Sequence, residues 1–456
     1  MSIYKNDFSA LSEISLGKLD AIVPSSANLV DNIIYEMSNL GVVDLFNDDF
    51  DRRAHNAVIP FNMILTLSIA AKMKQMTSLS DIPFAIQDHR TLAKLGYNAV
   101  ANGKDGLLTE GSIRFLIGKY SKDDLFNYYN GMVQDSIFNW MDIKPNIHIL
   151  DCTKIEVNMD NTNYENATIG RDNDGKYTRG YKLATLRGIV GDVGIIEDAR
   201  FDAINVHDKT LSEDMIKNSP CFNEGDILIM DRGFLSRELV NYLKTERGVG
   251  TYVPLKKGME ATDMAIAIAE TEDDWQPHPT RENQMIHFVE HLGDYWVDTK
   301  GSKNVPVNAC VVWIEETQSY SVFVTTDVTQ SAEQIIKTYE LRTEIEEDYR
   351  QLKEFWKLED FKSTKYDVIS YHIMCVLFGY LFYQLYLLTD AGEEFIGKSL
   401  PVVMKTYKQE FLSHMVMYSG DKFCVMELVE FLEYYRLASD EVRKKMKNIL
   451  GDRLLM

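Results

Sequence analysis

The chain has 456 residues, of which 45% are hydrophobic and 26% are charged, and its formal net charge at pH 7 is −21. This length and composition predict a soluble globular protein of two or three domains with sizeable cores. The five cysteines are scattered without a Cys-x-x-Cys pair, which argues against a zinc ribbon and fits a reducing compartment. No signal peptide opens the sequence, so we expect a cytoplasmic location.

The acidic balance disfavours long-range attraction to nucleic acid, which normally requires positive surface. Basic residues nevertheless cluster in three stretches: Lys176, Arg179, Lys182 and Arg187; Lys256 and Lys257; and Arg350, Lys353, Lys357, Lys362 and Lys365. If these stretches converge on one groove, they form a basic track on an acidic body. The alternative is ordinary solvated charge on strands and loops.

Residues 1–145 are predicted to be mostly helical, most clearly over 61–73, and strands begin at about 146. The first strand holds Asp151, and the segments 181–190 and 194–204 are predicted to be the next two. A helix over 208–218, a strand ending at Asp231, a helix starting after Ser236 and a strand over 251–255 follow. This β-β-β-α-β-α-β order is that of a ribonuclease-H-like domain.

Two acids accompany these strands. Asp151 interrupts its strand near the middle, and Asp231 ends a short apolar run that is followed by a glycine turn. Acids at strand ends of an α/β fold project into the crevice where ligands bind. For either residue alone, the alternative is an aspartate that merely forms a turn.

About 115 residues separate Asp231 from the next candidate acid, Glu346, which is far longer than an ordinary connection. Strand-like runs at 285–290, 295–298, 307–315 and 320–326 predict a β-rich insertion over 259–328. It contains Trp275, Trp296 and Trp313, which are candidates to stack on a flipped base. The alternative, which we favour, is a core tryptophan in each case.

Five side chains follow one another at steps of three, four, three and four residues: Tyr339, Arg342, Glu346, Tyr349 and Lys353. This spacing predicts that all five lie on one face of a single helix. A half-buried glutamate among cations is costly unless it binds something. A divalent metal bound to the Glu, and phosphates bound to the Arg, Lys and Tyr, would provide these polar groups with partners. The alternative is an ordinary charged helix exposed to solvent.

The apolar stretch 368–388 approaches the length of a membrane span but contains His372 and Gln384. We predict a core helix that covers the sheet, and no membrane association. Residues 389–456 are predicted to be helices of mixed charge.

Together, Asp151, the Asp231-Arg-Gly-Phe motif and the row from Tyr339 to Lys353 resemble the DDE transposases of bacterial insertion sequences. The row matches the YREK signature, Y-(2)-R-(3)-E-(6)-K, of the insertion-sequence-four-like family at every spacing. The resemblance covers roughly residues 146–385. One departure is Thr343, where the family often has Trp.

The resemblance implies an α/β fold with a ribonuclease-H-like core, over 146–258 and 329–388, interrupted by the β-rich insertion. Residues 1–145 would then bind element ends, and residues 389–456 would support a homodimer. It further implies cut-and-paste transposition of double-stranded DNA through a hairpin, by a bacterial protein associated with the nucleoid when bound to DNA. The metal ligands would be Asp151, Asp231 and Glu346, holding two Mg²⁺ or Mn²⁺ ions, and the DNA contacts would be Tyr339, Arg342, Arg350 and Lys353.

Three other functions stay open at this point. A host-domesticated or structure-specific nuclease could use the same acids on the same fold. A non-catalytic DNA-binding relative gains little from three converging carboxylates. A metal-dependent hydrolase of small phosphoesters is favoured by the acidic net charge, but the size of the chain and its spread of basic clusters favour a polymeric substrate.

Overall fold

The computed structural model describes residues 7–46, 50–53, 57, 59–97, 108–171, 175–292, 296, 305–407 and 414–451. Packing divides the chain into two compact units. The central unit is Tyr129–Gln351, and the flanking unit combines Met1–Tyr128 with Leu352–Met456.

The α-helices of the described residues are α1 Asp7–Ser15, α2 Leu29–Asn39, α3 Phe61–Met73, α4 His89–Lys94, α5 Glu110–Ile117, α6 Lys122–Gly131, α7 Phe138–Met141, α8 Asp208–Asn218, α9 Arg237–Glu246, α10 Glu260–Glu272, α11 Ala332–Glu340, α12 Thr343–Glu354, α13 Tyr366–Leu387, α14 Leu400–Thr406, α15 Leu428–Leu437 and α16 Asp440–Leu450. The strands are β1 Ala21–Ser25, β2 Ile147–Val157, β3 Thr168–Arg171, β4 Tyr177–Val190, β5 Val193–Ala203, β6 Ile227–Met230, β7 Gly250–Pro254, β8 Gln276–Pro277, β9 Gln284–Val289, β10 Asn308–Ile314, β11 Ser319–Thr325, β12 His414–Ser419 and β13 Lys422–Glu427. Of the predicted strand 295–298, only Trp296 lies within the described residues.

The central unit is built on a ten-stranded mixed sheet. Its strands run β3-β4-β2-β6-β7-β11-β10-β9-β8, and β5 also pairs with β4. Strand β4 lies antiparallel between β2 and β5, whereas β2, β6 and β7 are mutually parallel. Helix α8 leads from β5 to β6, and α9 joins β6 to β7. This arrangement confirms the predicted α/β, ribonuclease-H-like core.

The central strands follow from their sequences. Strand β6 is a short apolar run, Ile-Leu-Ile-Met, which suits a strand covered on both faces. At Gly180, β4 passes from pairing with β3 to pairing with β5. A Cβ atom there would lie 2.0 Å from the carbonyl oxygen of Ile155, so only glycine allows this close approach.

The β-rich insertion continues the core sheet. Strand β11 pairs antiparallel with β7, and β10, β9 and β8 follow it outward. Its apolar side chains, including Val311 and Val324, join the same core as Leu228 and Met230 of the central strand. The insertion is therefore packed as an extension of the central unit.

The flanking unit contains a small sheet that the sequence analysis did not predict. Strands β12 and β13 form a hairpin, and β1 pairs with β12 to give an antiparallel sheet of order β1-β12-β13. The prediction of helices alone for 389–456 was therefore wrong, as was the omission of a strand near residue 21. The available signal was the two-residue turn at Gly420, where φ is +60°, between two short apolar runs.

Helix α13 is buried on every side from Val368 to Leu387, as expected of a helix without a polar face. It packs against α2, α3 and α5. The sequence analysis assigns residues 329–388 to the last helices of the ribonuclease-H-like core, whereas packing places the residues from Leu352 onward in the flanking unit. Among the described residues, α13 alone is long and apolar enough to cross a membrane. Its apolar stretch is entirely buried within the protein.

Candidate active site

Two acids meet at one edge of the sheet. In the parallel pair of β2 and β6, Leu150 lies opposite Met230. Asp151 and Asp231 are the next residues on these neighbouring strands, which run about 4.8 Å apart. Asp231 then starts a short 3₁₀ turn, Arg232–Phe234. The strand register thus brings together two acids that the sequence separates by 80 positions.

The predicted single helix from Tyr339 to Lys353 is wrong. Helix α11 ends at Glu340 and α12 begins at Thr343. The hydroxyl of Thr343 donates a hydrogen bond of 2.8 Å to the carbonyl oxygen of Glu340, and a side chain bonded to the backbone in this way competes with helix continuation. Tyr339 therefore lies on α11 and Glu346 on α12, with Arg342 between the two helices.

Arg342 connects the strand acid to the helix acid. Its Nη2 donates to Oδ2 of Asp151 at 3.1 Å, and its Nη1 donates to Oε1 of Glu346 at 2.5 Å. The side chains of Asp151 and Arg342 are 14% and 18% exposed, whereas that of Glu346 is 54% exposed. One mostly buried cation thus neutralises two carboxylates at the sheet edge.

Burial dominates the electrostatics of Asp151. It raises the pKa of this carboxyl to about 6, although Arg342 and the backbone N–H of Cys152 act to lower it. The charges of Asp231 and Glu346 raise the pKa further, so both of these acids lie within electrostatic reach. Asp231 and Glu346 therefore lie near enough to Asp151 to affect its ionisation.

Tyr349 fixes α12 against the strand that carries Asp151. Its hydroxyl donates to the backbone carbonyl of Asp151 at 2.7 Å and lies 2.7 Å from Oγ1 of Thr185. Burial raises the pKa of Tyr349 well above its ordinary value, so it remains a phenol. The sequence placed this residue beside the acids, and the structure gives it a positioning role.

Tyr339 packs its ring 4.7 Å from that of Phe323. Burial raises the pKa of Tyr339 to about 12, which keeps its hydroxyl protonated and able to donate. Together with Asp231 and Arg342, it lines a cavity of about 380 Å³ between α11 and the extended sheet. Space for a substrate group therefore exists beside the acids.

Two cations of the first basic cluster serve the fold. Arg187 is buried, with its Nη1 2.8 Å from Glu344 and its Nε 2.6 Å from Asp348, so it binds α12 to β4. Lys182 pairs with Asp208 at 2.5 Å. Neither side chain contributes a free charge to a basic track. The role of Asp348 was missed, although its spacing of four residues from Glu344 places both on one helix face.

The remaining predicted DNA contacts are paired with acids. Arg350 binds Glu347 at 2.6 Å within α12, and Lys353 binds Glu359 at 3.3 Å. Arg350 and Lys353 are 46% and 30% exposed. Partly exposed pairs of this kind are weak.

The three tryptophans of the insertion differ in environment. Trp296 is fully buried and its Nε1 donates to Oδ1 of Asn241 at 2.9 Å, so it is a core residue. Trp275 and Trp313 are partly exposed and flank the ring of Tyr320, at 6.1 and 4.7 Å between ring centroids.

The chemistry of the donors fits a hard divalent cation, since Asp151, Asp231 and Glu346 offer only carboxylate oxygens. Asp151 and Glu346 already share one cation, the guanidinium of Arg342. Within the part of the chain that the structure describes, no three acidic, His or Cys side chains are close enough together to enclose an ion. Asp151 and Glu346 therefore lie as carboxylates on either side of the guanidinium of Arg342.

The order of the strands and the acids at their ends place the chain in the ribonuclease-H-like class of proteins. Residues 144–382, more than half of the chain, match the family described as the transposase DDE domain. The chain belongs to the DDE-domain transposase family, whose members in general cleave and join DNA with the help of divalent metal ions. Among solved structures, a cryo-electron-microscopy structure of the piggyBac transposase synaptic complex with hairpin DNA aligns with 95% of this chain and 86% of its own, at 10% identity and a TM-score of 0.42. No curated protein matches the chain in sequence.

Proposed function

We propose that this chain is the transposase of an insertion sequence of the YREK type. It would cleave the element ends and join them to target DNA. The observation that carries this proposal is the Asp151–Arg342–Glu346 bridge, with Asp231 one strand away. A binding protein has no use for several carboxylates that face a phosphate backbone, whereas phosphodiester chemistry requires them.

The proposed metal ligands are Asp151, Asp231 and Glu346, with Mg²⁺ or Mn²⁺ as the ion and two ions as the expected number. Divalent ions at such a site activate the attacking oxygen and stabilise the oxygen that leaves. The chain itself holds the two strand acids at fixed register and ties α12 to β2 through Tyr349. This fixed geometry lowers the entropic cost of assembling the site.

Arg342 and Tyr339 are proposed to receive the scissile phosphate. The guanidinium can bind two phosphate oxygens at once, and the protonated phenol can donate a hydrogen bond. Arg350 and Lys353 would add backbone contacts in exchange for their present acidic partners. The hairpin intermediate, the homodimer and the binding of element ends by residues 1–145 belong to this proposal as expectations drawn from the resemblance.

A pair of adjacent variants tests the proposal. Glu346→Gln removes the carboxylate that is bound to Arg342, whereas Glu347→Gln removes its neighbour, which pairs with Arg350. We expect Mn²⁺-dependent nicking of supercoiled plasmid by the wild type and by Glu347→Gln, and none by Glu346→Gln. Equal loss in both variants would mean that general helix charge matters, and undiminished cleavage by Glu346→Gln would remove Glu346 from the active site.

A further inference from the structure

A second cavity lies within the flanking unit. It has a volume of about 60 Å³ and lies where α3, α5 and α13 meet the segment before α13. A cavity of this volume has room for roughly four water molecules, which is also the number of oxygens in a phosphate group.

The charge of the cavity is opposite to that of the chain. The whole sequence has 69 acidic and 48 basic residues. The cavity lining nevertheless includes three cations, Lys72, Arg114 and Lys362, together with hydroxyl groups such as those of Ser78 and Ser363, and no carboxylate. Such a composition is expected of a site for an anion.

The main evidence for a bound anion is the environment of Lys72. It is 2% exposed, and its ammonium group donates to the backbone carbonyl of Met76 at 3.2 Å. Within the described ranges it forms no ion pair with a carboxylate, whereas Arg114 pairs with Glu110 and Lys362 pairs with Asp360. Burial lowers the pKa of Lys72, although Asp81 and Asp360 act to raise it, and a bound anion would favour its charged form.

A second buried group is also incompletely bonded. His372 lines the cavity, is 4% exposed and bonds through Nε2 to the backbone carbonyl of Lys357 at 3.0 Å. Its Nδ1 has no hydrogen-bond partner in the described part of the structure. Because Nε2 donates to a carbonyl, Nδ1 of the neutral ring is an acceptor, and a hydroxyl of a protonated phosphate can donate to it.

We propose that this cavity binds a phosphate group, with Lys72 as its principal charge partner and Arg114 and Lys362 at its rim. The group would be either a backbone phosphate of DNA or free inorganic phosphate. The DNA source rests on the proposed function, whereas the phosphate site itself does not. Both sources offer the same tetrahedral oxyanion.

The first experiment measures thermal unfolding of the full chain in inorganic phosphate and in chloride of equal ionic strength. We expect phosphate to raise the unfolding midpoint of the wild type by several degrees. Lys72→Met keeps the apolar stem and should abolish this phosphate-dependent rise. Lys119→Met removes an exposed lysine stacked on Phe115 outside the cavity and should retain it. Lys362→Gln, on an exposed side chain, should reduce it.

The second experiment measures binding of a labelled duplex over a range of salt concentrations. If a DNA phosphate occupies the cavity, Lys72→Met should lower the slope of log K against log salt by about one relative to Lys119→Met. An unchanged slope with a lost phosphate response would support free phosphate as the ligand. The proposal is overturned if phosphate stabilises the wild type and Lys72→Met equally. It is also overturned if phosphate stabilises neither protein. Nicking by the wild type and by Glu346→Gln is measured separately, so failure of the phosphate site is distinguishable from failure of the proposed function.

Discussion

Replacing Asp151 with asparagine should stabilise the metal-free protein. The pKa of this carboxyl is raised by burial to about 6, against 3.8 for the unperturbed group. At ~1.4 kcal/mol per pKa unit, keeping it ionised costs the folded state about 3 kcal/mol. Asparagine has nearly the same shape, can still accept from Arg342 and has no charge to desolvate.

The difference in stability between the wild type and Asp151→Asn should change with pH. Below pH 3.8 the carboxyl is protonated in both the folded and the unfolded states, so the two proteins should be equally stable. Between pH 3.8 and about 6 the unfolded chain ionises first, and the wild type loses stability relative to Asp151→Asn. Above pH 6 the full difference of about 3 kcal/mol is reached and then stays constant.

Thermal unfolding in EDTA at pH 4, 6 and 8 measures this difference. At ~2–4 °C per kcal/mol for a unit of this size, Asp151→Asn should unfold roughly 6–12 °C higher at pH 8. Adding Mg²⁺ should stabilise the wild type and have little effect on the variant, because the ligand has been removed. A variant that is less stable than the wild type at pH 8, or a difference in stability that does not change with pH, would show that burial of the ionised Asp151 carboxyl does not destabilise the folded protein.

Three further predictions follow from the same contacts. Arg187→Met should lower the free energy of unfolding by about 3–5 kcal/mol, because it removes the buried cation that pairs with Asp348. Urea unfolding measures this loss. A double variant that also carries Asp348→Asn should lose less than the sum of the losses in the two single variants. Arg342→Gln should bind Mn²⁺ more tightly in the absence of DNA, since the competing cation is gone; titration calorimetry at pH 8 checks this, and weaker binding would contradict it. Tyr349→Phe should cost about 1–3 kcal/mol through its lost hydrogen bonds, and an unchanged unfolding midpoint would show that the hydroxyl contributes nothing.

The core could be predicted from the sequence because its signals are local. Asp231 follows a four-residue apolar run, and the connection at 208–218 has the helical pattern that the structure contains. The order of elements then implies the ribonuclease-H-like arrangement. The positions of Asp151 and Asp231 on their strands predict that the two residues lie close together. The register of β2 with β6 explains why they do.

The features that escaped prediction depend on contacts distant in sequence. The break between α11 and α12 coincides with the hydrogen bond from the Thr343 hydroxyl to Glu340, which the three-four spacing does not reveal. Arg187 belongs to a basic stretch in the sequence, and only its pairing with Asp348, 161 residues later, shows that it serves the fold. The small sheet requires β1 to meet a hairpin nearly 400 residues away.

The proposed function requires Asp151, Asp231 and Glu346 to support DNA cleavage at the ends of a mobile element. It is tested by strand cleavage of a plasmid that carries the gene's native flanks, with Mg²⁺ or Mn²⁺, by the wild type and by Glu346→Gln. We expect cuts at two inverted ends by the wild type alone. Cuts at the same ends by Glu346→Gln, or no end-specific cuts by a folded, metal-binding wild type, would contradict it.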